Sequence, residues 1–394
     1  MRNERSSVAR SAKPKFGEFF AGIGLVRMGL EEAGWEIAFA NDIAPDKREM
    51  YDAHFRDADQ HFVLDDIHNI DGSKLPAMDL ATASFPCTDL SLAGGRLGLQ
   101  GGQSSAFWGF VEVIRQMDDR RPPLIMLENV VGFLTSHGGA DFREAMLALN
   151  NLGYAVDPFI LDARWFVPQS RPRLFVVGSR VQDKSALRVS LESRLRPPQL
   201  QRFIASHPEI HWGLRDLPEP PTRSSRVLED IIETGMPKSS PQWWSDDRAE
   251  YLYNQFSDRH REIADRMIAR RRYSYATVFR RVRMQPDGNK RSMGELRTDG
   301  IAGCLRTPKG GSGRQILFKA GYDRYAARLL TPDECARLMG AEGFRITVPD
   351  NQAYFGFGDA VCVPAITWIA ENYLSSLWMD RTPSDSRIVQ EVGC

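Results

Sequence analysis

The chain has 394 residues, 42% of them apolar and 26% charged, and its 51 Lys/Arg balance its 51 Asp/Glu. That length holds two domains, or one large domain with an insertion, at the composition of an ordinary soluble globular protein. No apolar run approaches the roughly 18 residues needed to cross a bilayer, and the basic, polar segment 1–15 lacks the apolar core of a secretory signal. Five cysteines, an odd number without a CxxC pair, argue against a disulfide framework and a zinc site. A reduced, cytosolic protein without a metal or a membrane partner is expected.

Lys15 to Phe20 reads as a short apolar strand that runs into Ala21-Gly22-Ile23-Gly24, followed by a helix to about Ala33 that stops at Gly34. A second strand, Glu36 to Ala40, ends in Asn41-Asp42. Strands near 79–85, 124–128, 154–161 and 174–178 alternate with helical stretches near 106–117 and 141–150. Such succession predicts an α/β fold with a mostly parallel sheet and helices on both faces. After Gly178 the alternation stops, and about 183–316 is rich in Arg, Pro, Ser and Trp. Regular structure resumes with Thr331 as an N-cap and Pro332 as the first helical residue. A last helix, about Val363 to Leu374, is expected to pack back on the sheet. There is no internal repeat.

Zero net charge hides an uneven distribution. Between Arg259 and Arg297 there are twelve Lys/Arg against four acids, interleaved with Tyr273, Tyr275 and Phe279. A solvated helix face explains a lone charge run, but aromatic interleaving adds weight to a phosphate-binding footprint.

Chemistry-bearing residues fall at the ends of the expected strands, where open α/β sheets place their ligands. Gly22 and Gly24 form a GxG turn that lets a ligand approach the backbone, although a purely structural turn explains them nearly as well. The third glycine of the dinucleotide fingerprint is missing, which disfavours a nicotinamide cofactor. Asp42 stands where nucleotide binders hold ribose hydroxyls, so an adenosine-bearing cofactor is expected. A lone cysteine is usually inert filler. Cys87, however, follows Pro86 and precedes polar Thr88-Asp89 and a loop, 94–102, with five glycines in nine residues, suited to a mobile lid. As a nucleophile it would need positive charge or a proton acceptor nearby. Cys304, Cys335 and Cys362 lack comparable surroundings and are expected to be structural. Glu128 ends an apolar run, so desolvation should raise its pKa and let it donate a proton to a ring nitrogen; the bland alternative is a salt-bridged glutamate. Arg171 and Arg173 alternate, so both should point to one face and brace a base, a phosphate or Glu128.

In this order the segments resemble the DNA cytosine-5 methyltransferases of bacterial restriction-modification type. Phe20-Ala21-Gly22-Ile23-Gly24 looks like that family's first cofactor motif, Phe85-Pro86-Cys87 its nucleophile motif and Glu128-Asn129-Val130 its ENV motif. Gln169-Ser170-Arg171-Pro172-Arg173 looks like the QxRxR motif, Gly303 to Gly311 the segment closing the recognition region, and Phe357-Gly358-Asp359-Ala360-Val361 the final motif. The resemblance implies a Rossmann-like S-adenosylmethionine-dependent fold with a smaller, irregular target-recognition domain. It implies attack of Cys87 on C6 of a flipped cytosine, Glu128 at N3 and the exocyclic amine, and methyl transfer to C5, with Arg171 and Arg173 beside them. Cofactor contacts would come from Glu18, Phe20, Ala21, Gly22, Gly24, Asp42, Ile43, Asp66, Ile67, Pro86, Asp359 and Ala360. Double-stranded DNA would be met by Ser91, Arg96, Arg283, Arg291, Arg306, Lys309 and Arg314, the last three offering bidentate contacts to guanine.

By this reading, 1–14 is a tail, 15–184 the catalytic and cofactor-binding domain, 185–325 the recognition domain, 326–379 a return to the catalytic domain and 380–394 a polar tail. A bacterial cytosolic monomer, with a cognate restriction endonuclease encoded nearby, is expected. Four positions depart from the family pattern. Ser84 replaces a glycine, Thr88 a glutamine, Ile43 an aromatic, and Asp359 the usual asparagine, which puts an acid where a methionine carboxylate is expected. The alternatives are a tRNA cytosine-5 methyltransferase and a catalytically silent DNA-binding relative.

Overall fold

The computed structural model describes residues 13–86, 106–180, 192–284, 288–307 and 313–380. The strands of its first sheet are β1 (Lys15–Phe19), β2 (Glu36–Asp42), β3 (Phe62–Leu64), β4 (Leu80–Ala83), β5 (Leu124–Val130), β6 (Ala155–Asp162) and β7 (Pro172–Ser179). They run in the order β3-β2-β1-β4-β5-β7-β6. All pairs from β3 to β5 are parallel, and β7 enters antiparallel between β5 and β6. The chain leaves β1 toward β2 and β3, then returns to β1's other side as β4. The carboxyl ends of β1 and β4 therefore flank a topological switch point, the crevice where open α/β sheets bind ligands.

Both faces of this sheet are covered, so its strands read as apolar runs. On β5, Ile125 and Leu127 join one core with Phe19, Phe39 and Ala81, while Leu124 and Met126 join another with Phe16 and Phe175. Helices α1 (Leu25–Glu32), α2 (Pro45–His54), α3 (Ala106–Gln116) and α4 (Ala140–Asn151) connect the strands. Phe107, Phe110 and Val113 of α3 and Phe142, Ala145 and Leu149 of α4 fill the first core.

The stretch without βα alternation contains α5 (Pro198–Ser206), α6 (Asp246–Tyr253) and α7 (Asp258–Ile268). They are followed by an antiparallel sheet of β8 (Ser274–Met284), β9 (Lys290–Arg297), β10 (Ile316–Gly321) and β11 (Arg324–Leu329) in the order β11-β10-β8-β9. Its core of Ala276, Val278, Leu296, Phe318 and Ala327 packs on Leu252 of α6 and on Ala264 and Met267 of α7.

Thr331 caps α8 (Pro332–Leu338) as expected, in a capping box with Glu334. Helices α9 (Asp350–Asp359), α10 (Val363–Ile369) and α11 (Ser375–Met379) follow. The stretch 350–379 corrects the expectation that no run suffices to span a bilayer, since by length and composition it does. Here it is core instead: Val361, Ala365, Ile366, Ile369 and Leu374 pack with Phe16, Leu30 and Trp35 against the sheet.

Two buried ionic hubs join distant segments. Asp157 on β6 accepts from Arg196 (2.7 Å), the Arg215 backbone N–H (3.0 Å) and the Tyr373 hydroxyl (2.8 Å). Glu334 accepts both Arg328 guanidinium nitrogens at 2.6 Å and the backbone N–H groups of Thr331 and Glu233. Arg328 and Glu334 are fully buried, so removing one strands the other's charge. Glu334→Ala should cost about 3–5 kcal/mol in urea denaturation, against about 1 kcal/mol for the cap variant Thr331→Ala. Equal losses would mean that the ion pair is not the principal tie.

Candidate active site

The alternation along β5 brings Glu128 out on the face of Leu124 and Met126, at the strand's carboxyl end. On β7, Arg173 shares the face of Phe175, whose partner across the ladder is Glu128 itself. The two charged side chains meet diagonally, with Arg173 Nε 2.9 Å from Glu128 Oε1 and both side chains largely buried. Asn129 turns to the other side and donates from Nδ2 to the carbonyl of Phe85 at 3.0 Å. This bond ties the end of β5 to the segment Phe85-Pro86 that leads into Cys87. Cys87 itself lies outside the described residues, as do Ser91, Arg96 and Lys309.

Arg171 behaves differently from Arg173. Its buried guanidinium donates to the carbonyls of Leu305 (2.7 Å), Gly358 (3.0 Å) and Ala360 (2.5 Å) and to the thiol of Cys304 (3.2 Å). The expectation that Arg171 braces a base, a phosphate or Glu128 is corrected by these bonds, which use its donors to hold backbone. The expectation for Cys304 is corrected as well. Burial raises its thiol pKa, but Arg171, Arg173 and Arg306 outweigh that and leave it below the ordinary value. Cys335 and Cys362 are buried thiols pushed upward by desolvation, Cys362 to about 12.

The expected cofactor residues gather at the switch point. The turn after β1 carries positive φ at Phe20 (58°), Gly22 (57°) and Gly24 (83°). For a phenylalanine this conformation is costly, and such strain concentrates at ligand-binding turns. Asp42 Oδ2 accepts the Gly22 backbone N–H at 2.8 Å and Oδ1 that of Ala44 at 2.9 Å, which fixes the carboxylate beside the turn. Asn41 donates to the carbonyls of Val63 and Asp65, placing Asp66, whose carboxylate is held below its usual range first by the His68 backbone N–H. Ile43 is 63% exposed, whereas Ile67 packs in the core. Pro86 is exposed and Ala360 half-buried. Asp359 forms an ion pair with Lys47 at 3.0 Å.

Glu18 is the electrostatic exception. It is buried on β1, and neither carboxyl oxygen has a hydrogen-bond partner among the described residues. Desolvation pushes its pKa up to about 8, against the pull of the nearby Arg27 charge; Glu31 and Asp42 add to the rise. Arg27 cannot neutralise it fully, since its guanidinium is taken up by Glu31, Asp57, Tyr51 and His61.

The profile of the family described as C-5 cytosine-specific DNA methylase matches residues 14–375. The chain belongs to that family. Among relatives of this C-5 cytosine methylase, the DNA-cytosine methyltransferase of Escherichia coli K12 is 29% identical over 408 residues, covering 91% of this chain and 76% of that protein. The Type II methyltransferase M.HhaI of Haemophilus parahaemolyticus is 26% identical over 370 residues, covering 92% and 95%. Of solved structures, S. pombe Dnmt2 methyltransferase superposes with a TM-score of 0.60 at 18% identity, covering 93% of this chain and 99% of that one. The methyltransferase EhMeth of Entamoeba histolytica gives 0.60 at 14%, covering 94% and 99%. At these identities the two structures attest the fold alone.

In this methylase the described residues among those expected at DNA, Arg283, Arg291, Arg306 and Arg314, lie on β8, on β9 and between β9 and β10. Arg283 and Arg291 face each other across the β8–β9 hairpin, with Arg283 also bonded to Glu295 at 2.7 Å. Arg306 is exposed, and its backbone abuts Gly358. Arg314 is engaged within the protein, bonded to Asn351 and lying 5.2 Å from the centre of the Tyr354 ring. Sequence reasoning missed the positioning work of Asn129 and of Gln169, which donates to the Leu338 carbonyl (2.8 Å) and accepts the Leu305 N–H (3.0 Å). Both belong to motifs already singled out, and motif membership was the available signal. Lys47 had none, beyond the unusual acid at Asp359.

A folded pKa of about 8 against an ordinary 4.5 means that the native state keeps a Glu18 proton that the unfolded chain releases. Its contribution to stability is complete below pH 4.5 and erodes as pH rises to about 8, by up to about 1.4 kcal/mol per pH unit. Denaturation at pH 5, 6.5 and 8 should show Glu18→Gln losing less stability than wild type across this range; parallel slopes would refute the assignment.

Proposed function

We propose that this C-5 cytosine methylase transfers a methyl group from S-adenosylmethionine to C5 of a cytosine flipped out of duplex DNA. The observation that carries the reading is the Glu128–Arg173 pair, 2.9 Å apart at the carboxyl end of β5, tied through Asn129 to the segment entering Cys87. The cofactor edge fits such a group. Asp42 has lone pairs left for ribose hydroxyls, Gly22 keeps the turn open to a ligand, and the unpartnered Glu18 carboxyl lies beneath it. Asp66 and Ile67 would border the adenine, with Phe20 stacked on it. When bound, S-adenosylmethionine supplies a sulfonium methyl, an electrophile that needs only a nucleophilic carbon beside it.

The chain's own residues make that carbon. Cys87, as thiolate, forms a bond from Sγ to C6 of the cytosine. Glu128 gives a proton to N3 as electrons move from the C5–C6 double bond into the ring, and Arg173 fixes its carboxyl in place. C5, made nucleophilic in this way, would take the sulfonium methyl and then lose its proton to a base; as the Sγ–C6 bond breaks to return the thiolate, N3 gives its proton back to Glu128, leaving neutral 5-methylcytosine. A cytosine inside a duplex is out of reach of these groups, so it must be extruded first. The glycine-rich loop with Ser91 and Arg96 would close over it. Arg283 and Arg291 would meet phosphates, while Arg306, Lys309 and Arg314 are proposed at base edges. Relatives with Type II names support a restriction-modification setting with a cognate endonuclease.

Bisulfite sequencing of plasmid from cells expressing wild type and Cys87→Ser tests the assignment. Cytosines protected in one fixed sequence context, and only with wild type, are expected. Unprotected DNA with protected tRNA would overturn the DNA substrate. Glu128→Gln should lower kcat by about 10²- to 10⁴-fold, the usual worth of a positioned proton donor.

A further inference from the structure

Resting on the cofactor reading above, we propose that Lys47 is a cofactor-binding residue that receives the carboxylate of the amino-acid end of S-adenosylmethionine, with Asp359 as the group that positions it. Asp359 stands where the family pattern carries an uncharged amide, and an unneutralised acid there would repel a ligand carboxylate. Here the acid is neutralised. Lys47, in the first turn of α2, places Nζ 3.0 Å from Asp359 Oδ2 at the end of α9. Its stem runs past the ligand-facing turn, with Cδ 3.9 Å from where a Cβ on Gly22 would lie.

The surroundings hold both partners still. Arg171 grips the carbonyls on either side of Asp359. Gln352, also on α9, donates to the Asp46 carbonyl and the Glu49 carboxylate of α2, both at 2.9 Å, so the two helices stay in register. The Lys47 side chain is 27% exposed, enough to meet a ligand yet screened from bulk water. An ammonium has three donors, so the pair with Asp359 leaves donors for a second anionic partner. Arg27, beneath the same turn, is committed to Glu31 and Asp57. A carboxylate arriving at this rim therefore finds Lys47 as its counter-charge, oriented by Asp359.

Calorimetric binding to the full chain separates this role from a purely structural one. The probes are S-adenosylhomocysteine, which carries the amino-acid end, and methylthioadenosine, which lacks it. Lys47→Met should weaken S-adenosylhomocysteine about tenfold or more, the scale of a lost charge-assisted bond. It should leave methylthioadenosine within about twofold, which also establishes that the variant is folded. Asp359→Asn should keep S-adenosylhomocysteine binding within a few-fold of wild type, since the lysine remains. Equal weakening of both probes by Lys47→Met, or of neither, overturns the proposal while leaving the cofactor site standing. Wild type that binds neither probe overturns both.

Discussion

The structure turns on one buried guanidinium. Arg171 is 2% exposed, and its guanidinium donates to three carbonyls and a thiol rather than to a carboxylate. A charge in that position is tolerable only if dipoles surround it, so each acceptor must stay in place. The acceptors come from two regions far apart in sequence, the 304–305 segment beyond β9 and the turn between α9 and α10. Arg171 itself follows the bend after β6, where its N–H is held by Asp162 at 2.8 Å. Three parts of the chain are thus locked at one point. Gly358 shows how closely they meet, since a Cβ there would lie 2.5 Å from the Thr307 backbone nitrogen. Gln169 repeats the device a step earlier by joining Leu305 to α8.

From that lock the remaining geometry follows. With Arg171 drawn to backbone carbonyls, Arg173 two residues on is left for Glu128, and its position on β7 is fixed by ladders to both β5 and β6. Asn129 then fastens β5 to the exit of β4. Among the described residues, the site's Glu128, Asn129, Arg171 and Arg173 are borne by strands or bonded to backbone, an arrangement that limits reorganisation during reaction. Cys304 was expected to be structural because Arg306, two residues on, is the nearest charge in its sequence. Its cationic surroundings are complete only once Arg171 and Arg173 have been brought beside it.

Much of the first sheet was legible because both of its faces are buried. Runs such as Leu124-Ile125-Met126-Leu127 admit few other readings, and turn glycines and the Thr331 cap mark where elements begin and end. The second sheet was illegible for the opposite reason. Strand β8 passes from buried Ala276 and Val278 to exposed Val282, Arg283 and Met284, so one strand contains a core half and a protruding half. The pattern of Arg171 and Arg173 suggested one shared role, but spacing cannot say how far each side chain reaches or what waits there, and their partners differ. Asp359 was visible as a departure, whereas its counter-ion Lys47, 312 positions earlier, could be found only in three dimensions.

The two halves of the crevice differ in charge, and the difference suits the proposed chemistry. At the ends of β1 and β2 stand Glu18, Asp42 and, nearby, Asp66, with Asp359 neutralised by Lys47. At the ends of β5 and β7 stand Arg171 and Arg173, with the Glu128 carboxyl held 2.9 Å from Arg173. A sulfonium is favoured on the acidic side and a thiolate or phosphate on the basic side. The proposed transfer moves a methyl from cation to ring and consumes the sulfonium charge, so fixed acids at that edge would hold the donor more strongly before reaction than after. Such acids aid binding and oppose the chemical step, because only interactions stronger in the transition state accelerate it. Burying Glu18 in protonated form removes one of those negative charges from the reaction's path. The raised pKa of Glu18 and the ion pair at Asp359 are therefore two solutions to one problem: keeping oxygen ligands around a cationic donor without the excess negative field that would slow its reaction.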